Sequence, residues 1–109
     1  MLTKEELPEC PVATTVQLIG SKWKLLILRN LMARPWRFNE LKKGIGGISQ
    51  KVLTESLRSM EEDGLITRTV FEEVPPHVEY SLSELGEAMR PIIQSMESWG
   101  NFYKQQTSR

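Results

Sequence analysis

The chain has 109 residues, enough for one domain with a modest core and no covalent staples. Its 14 lysines and arginines balance 14 aspartates and glutamates, so bulk charge selects neither nucleic acid nor a membrane surface, and the distribution of charge has to decide. Cys10 is the single cysteine, which excludes an intramolecular disulfide; residues 1–9 lack the apolar core of a signal peptide, and no apolar run is long enough for a bilayer. A single cytoplasmic domain over 1–109 is the expectation.

In chain order, "CPVATTVQLIG" reads as a short helix over about 11–19. Pro11 suits the first helical position, where an N–H would be unpaired, so Cys10 falls at the N-cap and Gly20 closes the helix. Ser21 caps a second helix in "KWKLLILRNLMA", apolar over more than half its circumference and so the predicted central core helix. Arg34-Pro35 ends it. "RFNELKKGI" gives a short third helix with Phe38, Leu41 and Ile45 on one side, and Gly46 and Gly47 form a turn. Ser49 caps the fourth helix, with Ile48 and Leu53 placed as a hydrophobic staple and Gly64 as its stop. Leu53, Leu57 and Met60 make its apolar stripe; Gln50, Lys51, Thr54 and Arg58 lie opposite.

The period then changes from helical to alternating. In "LITRTVFEEVPPHVEYSLS" the first half is rich in β-branched residues and the second alternates strictly, which predicts a hairpin over about 66–82 with Pro75 and Pro76 stiffening its loop. Ser83 caps a last helix, about 84–105, with a bend expected at Pro91. Leu85, Met89, Ile92, Met96, Trp99 and Tyr103 follow one another at heptad spacing along it. Two helices joined by a glycine turn (about 38–63) and followed by a hairpin define a winged helix-turn-helix, a mainly α, α+β fold.

Charge is segregated within that order. Between 34 and 58 stand six cations, Arg34, Arg37, Lys42, Lys43, Lys51 and Arg58, against Glu40 and Glu55, while Glu61, Glu62 and Asp63 close the fourth helix. In a helix-turn-helix the start of the second helix enters the major groove. Gln50 suits adenine, Lys51 or Arg58 guanine, and Thr54 offers a hydroxyl or a methyl, with Arg58 further from the groove. Ser49 and the helix N-terminus can hold a phosphate, and Arg37, Lys42 and Lys43 are candidates for backbone phosphates. The bland alternative is a solvated amphipathic face, with Lys42 and Lys43 complementing a helix dipole. In the hairpin loop His77 is expected to be exposed beside the Pro-Pro tip, where it could meet DNA, while Glu72 and Glu73 would be repelled by phosphate.

With "CPV", "GSKWKLLIL", "RFNELKKGIGGISQKVLTESLRSMEEDGLITR", "VPPHVEYSLSELG" and "SWG" in order, the chain resembles the HxlR family of bacterial winged-helix transcription regulators, relatives of the MarR group. The resemblance runs from Cys10 to Gly100. It implies a homodimer formed largely by the first and last helices, a pseudo-palindromic operator, and a response to chemical stress or a small effector. Many members carry Arg or Lys where this chain has His77, and Gly where Ser21 stands. Several redox- or electrophile-sensing members use a cysteine in the "CP" context that Cys10 matches. A helix N-terminus favours a thiolate, which supports a sensing role; with no second cysteine, any disulfide joins two subunits or a small thiol. The alternative is a small half-buried residue near the dimer interface. The heptad seam could likewise cover the domain's own core, but its aromatic end is more than so small a core needs.

Nothing points to an enzyme, a metal or a cofactor: His77 and Cys10 are far apart, no Gly-rich phosphate loop occurs, and "EED" at 61–63 has no metal-site spacing. The reading is a dimeric repressor responding to redox stress or a small effector. The rival is a winged helix that binds protein, separable by salt because phosphate contacts weaken steeply as salt rises.

Overall fold

Three serines lay out the helical frame of the computed structural model, which describes residues 1–107. Ser21, Ser49 and Ser83 each accept the N–H of the residue three positions on, Lys24 at 3.3 Å, Val52 at 3.1 Å and Gly86 at 3.0 Å. Each satisfies an otherwise unpaired donor of a helix's first turn. The helices are α1 (Pro11–Ile19), α2 (Lys22–Leu31), α3 (Phe38–Ile45), α4 (Gln50–Glu62), α5 (Glu84–Glu87) and α6 (Arg90–Thr107), with a 3-10 turn at Lys4–Glu6 ahead of them.

The core forms where the apolar stripes of α2, α3 and α4 meet. Ile27, Leu28 and Leu31 of α2, Leu41 of α3 and Leu53, Leu57 and Met60 of α4 are all buried, so the sequence-predicted central helix and helix-turn-helix are present. Ile48 is buried beside them, as a staple requires. Gly46 and Gly47 adopt φ of 69° and 73°, so the turn between α3 and α4 needs two successive residues without a Cβ penalty. Lys24 ties α2 to α4 by donating from Nζ to Ser59 Oγ at 2.9 Å.

The hairpin is β2 (Ile66–Phe71) and β3 (His77–Leu82), paired antiparallel from Ile66 opposite Leu82 to Phe71 opposite His77. The sheet also has a third strand, which the sequence pattern does not predict. Trp36 and Arg37 form β1, which pairs with the other edge of β3, Trp36 opposite Tyr80 and Arg37 opposite Glu79, in the sheet order β1-β3-β2. Two residues carry too little pattern to read as a strand; the indole Nε1–H of Trp36, bonded to the Asn30 carbonyl at 2.8 Å, fixes the segment instead.

The C-terminal helix differs from its expected form. Pro91 does not bend one helix over 84–105; the chain leaves α5 after Glu87 and begins α6 at Arg90, so Pro91 occupies the first turn of a new helix, where it blocks no hydrogen bond. The break also splits the expected heptad seam. Leu85 belongs to α5, and Met89 packs against the protomer's own core. Ile93, outside the seam, is the buried side chain of α6. Ile92, Met96, Trp99, Phe102 and Tyr103 remain exposed, Trp99 at 63% and stacked on Tyr103 with centroids 5.3 Å apart. Val12 and Val16 of α1 are exposed as well.

Candidate nucleic-acid interface

The geometry of α4 follows from its two faces. Leu53, Ser56, Leu57 and Met60 are buried, which locks the helix in rotation, and Gln50, Lys51 and Arg58 consequently point to solvent with Thr54 half-buried between them. Lys51 makes one loose contact, 4.0 Å to Glu55, with both side chains largely exposed, so it is free to reorient. Ser49 leaves α4's N-terminus open to solvent, and Lys42 and Lys43 are exposed in the last turn of α3.

The structure spends one cation of the local excess on the fold. Arg34 sits 3.8 Å over the Trp36 ring and bonds Glu40 at 3.3 Å. Glu40 also accepts the Arg37 N–H at 2.9 Å, satisfying a donor at the start of α3. That backbone bond first, and then the hydrogen bond and charge of Arg34, hold the Glu40 carboxyl below the usual glutamate range. A carboxylate favoured by folding stabilises the folded state above its unfolded pKa, and that contribution is lost as pH falls through the lowered folded value. A side-chain NMR titration of Glu40 is expected to give a midpoint below that of an ordinary glutamate. In Arg34→Ala the midpoint should rise only partway, because the Arg37 amide remains; a full return to the ordinary value would mean that Arg34 alone sets it.

β1 carries Arg37 to the wing: Arg37 lines a surface groove with the start of α3 on one side and Pro76 and His77 on the other. His77 itself differs from the expectation of an exposed side chain. Its side chain is only 14% exposed, with Nε2 3.0 Å from Glu79 Oε2. Nδ1 lies 2.6 Å from Glu73 Oε1, close but outside hydrogen-bond angles. The ring stacks on Phe71 at 4.7 Å. Cross-strand register explains this: Phe71 and His77 are the closing pair of the hairpin, so the ring lies over its partner, away from the tip.

Arg68 lies outside the cation-rich segment 34–58, although the sequence carries a signal for it. In β2 it shares the face of the buried Ile66, two positions on, and it stands opposite Tyr80. An arginine at a core-facing register position has to emerge beside the helix that covers that face. It lines, with Phe38, Thr54, Arg58, Glu61 and Tyr80, a crevice of about 110 Å³ between α4 and the sheet. Cys10 is exposed at the α1 N-cap with no side-chain capping bond. Among the described residues no group of three or more His, Cys, Asp or Glu side chains could hold a metal, and no helix is long and apolar enough to cross a membrane.

A glycine-turned helix pair, its second helix anchored on one face and open on the other, with a β-hairpin alongside, defines a winged helix-turn-helix, an architecture of DNA-binding transcription regulators. The chain belongs to the HxlR-like helix-turn-helix family, whose model matches residues 18–108. It is 45% identical over 102 residues to the HTH-type transcriptional regulator YdeP of Bacillus subtilis (strain 168), covering 94% of this chain and 80% of YdeP. Among solved structures it is similar to the redox regulator HypR in its reduced form, with a TM-score of 0.83 and 40% identity over 87% of this chain and 94% of HypR. The oxidised form of HypR gives 0.81 and 42% identity over 84% and 95% of the two chains.

Proposed function

We propose that the protein is a homodimeric repressor that reads a pseudo-palindromic operator through α4 and is controlled by oxidation or electrophilic attack at Cys10, or by another small effector. The observation that carries the DNA reading is α4 itself: core packing fixes its rotation while the open face presents Gln50, Lys51 and Thr54 at its N-terminal end. Gln50 pairs with adenine, Lys51 with guanine, and Thr54 meets a neighbouring base edge. The α4 N-terminus with Ser49, together with Arg37, Lys42 and Lys43, holds backbone phosphates. His77, held by Phe71 and two carboxylates, shapes the wing beside Arg37 and would meet phosphate only by leaving them.

The exposed stripe of α6 and the valines of α1 support a dimer, which sets two α4 helices in successive major grooves about 34 Å apart. An effector then needs only to change their angle or spacing. Exposure of Cys10, and the likeness to a redox regulator, support the thiol as that input. An oxidant such as diamide removes two electrons and two protons from a pair of thiols, joining Cys10 of two subunits or Cys10 and a small thiol.

Binding to a set of duplexes tests this. Gln50→Ala is expected to change sequence preference by about 1–3 kcal/mol at one base pair of each half-site, whereas Lys43→Ala weakens all sequences alike and lowers the salt slope by about one. Equal losses on every sequence from both changes would mean that Gln50 reads no base. Diamide should lower operator affinity of the native protein and leave Cys10→Ser unaffected; an equal response in both excludes the cysteine.

A further inference from the structure

The crevice between α4 and the sheet has no partner within the protomer. Two basic residues, Arg58 from α4 and Arg68 from β2, line it together with one acidic residue, Glu61. Neither arginine forms an ion pair among the described residues, whereas Arg34 and Arg90 both do. Thr54 and Tyr80 add hydroxyls, and both arginines belong to exposed residues. With two basic residues against one acidic residue the crevice keeps a net positive charge, which a bound anion would offset.

We infer that this crevice seats one backbone phosphate of the bound duplex, shared by Arg58 and Arg68, which clamps the strand between the recognition helix and the wing. The inference rests on the DNA reading above. Thr54 belongs both to the proposed base-reading face and to the crevice wall, so the two surfaces are continuous and one strand can pass from one to the other. Planar guanidinium forks suit phosphate oxygens, and two of them from different directions fix its position. Arg58 thereby takes a different role from that of a distant base reader: it holds the backbone and carries no sequence information. Arg68 supplies the wing's phosphate contact from β2, in place of a cation at the wing tip.

The test is duplex binding by the intact protein across a salt series, with Arg58→Gln, Arg68→Gln, Arg68→Lys and the double glutamine variant, each checked for an unchanged melting temperature. Each single glutamine variant should bind about tenfold more weakly on every sequence, with sequence preference preserved. Arg68→Lys should recover part of the loss, since it restores charge but not the fork. The double variant should lower the salt slope by about 0.9, the value for one phosphate. Unchanged affinity, a changed base preference, or a slope change near twice that value would overturn the shared clamp. If native protein binds no duplex even at low salt, the DNA reading itself fails, which is a separate result.

Discussion

Trp99→Ala is expected to weaken self-association by about thirtyfold or more, read by sedimentation equilibrium at micromolar concentrations. Trp99 is 63% exposed in the protomer and stacks on Tyr103, with Ile92, Met96 and Phe102 exposed on the same helix. An aromatic side chain of this size covers about 150–250 Å² when buried. Anchors of this kind cost about 2 kcal/mol or more when truncated at an interface, which is a thirtyfold change in affinity. The effect should be confined to association, because Trp99 contributes nothing to the protomer core, whereas Met89→Ala should lower protomer stability and leave the α6 stripe intact. A Trp99→Ala protein that associates like the native one would place the dimer contact elsewhere.

Gly86→Ala is expected to destabilise the fold by at least about 3 kcal/mol, a fall of about 12 °C or more in melting temperature. Gly86 is buried in α5, and a Cβ there would lie 2.1 Å from the Leu65 carbonyl oxygen. That oxygen accepts the Ser83 N–H at 3.1 Å, so it cannot retreat without breaking the bond that ties the residue after β3 to the residue before β2. Alanine's better helix propensity, at most about 1 kcal/mol, is smaller than the cost of displacing backbone. Gly100→Ala is the contrast, since nothing lies within 4 Å of its Cβ position, and the same propensity should make it neutral or slightly stabilising. Comparable melting temperatures for Gly86→Ala and native protein, measured calorimetrically, would show that α5 is not wedged against Leu65.

Helices α2, α3 and α4 are legible in the sequence from local signals: a helical apolar period in all three, serine caps at Ser21 and Ser49, a proline stop after α2 and glycine stops after α3 and α4. The hairpin was legible through its change of period. What escaped depends on contacts between distant segments. β1 exists because Trp36 reaches Asn30 and Tyr80, and neither partner is visible from two residues. The break before α6 follows from core demand: Met89 and Ile93 turn inward, so an unbroken heptad from Leu85 to Tyr103 could not be kept on one face. His77 looked exposed because it follows two prolines, but cross-strand pairing with Phe71 turned it over the hairpin. The open polar face of α4 is readable from periodicity alone, whereas Arg68 gains its neighbours only when the sheet folds against that helix.

In the proposed complex two copies of α4 occupy successive major grooves of one operator. Hydroxyl-radical footprinting of the intact protein on DNA upstream of its own gene tests it most directly. Two protected patches per strand are expected, related by a dyad and centred about 10–10.5 base pairs apart, that fade together as salt rises. A single protected patch, or none at low salt, would contradict it.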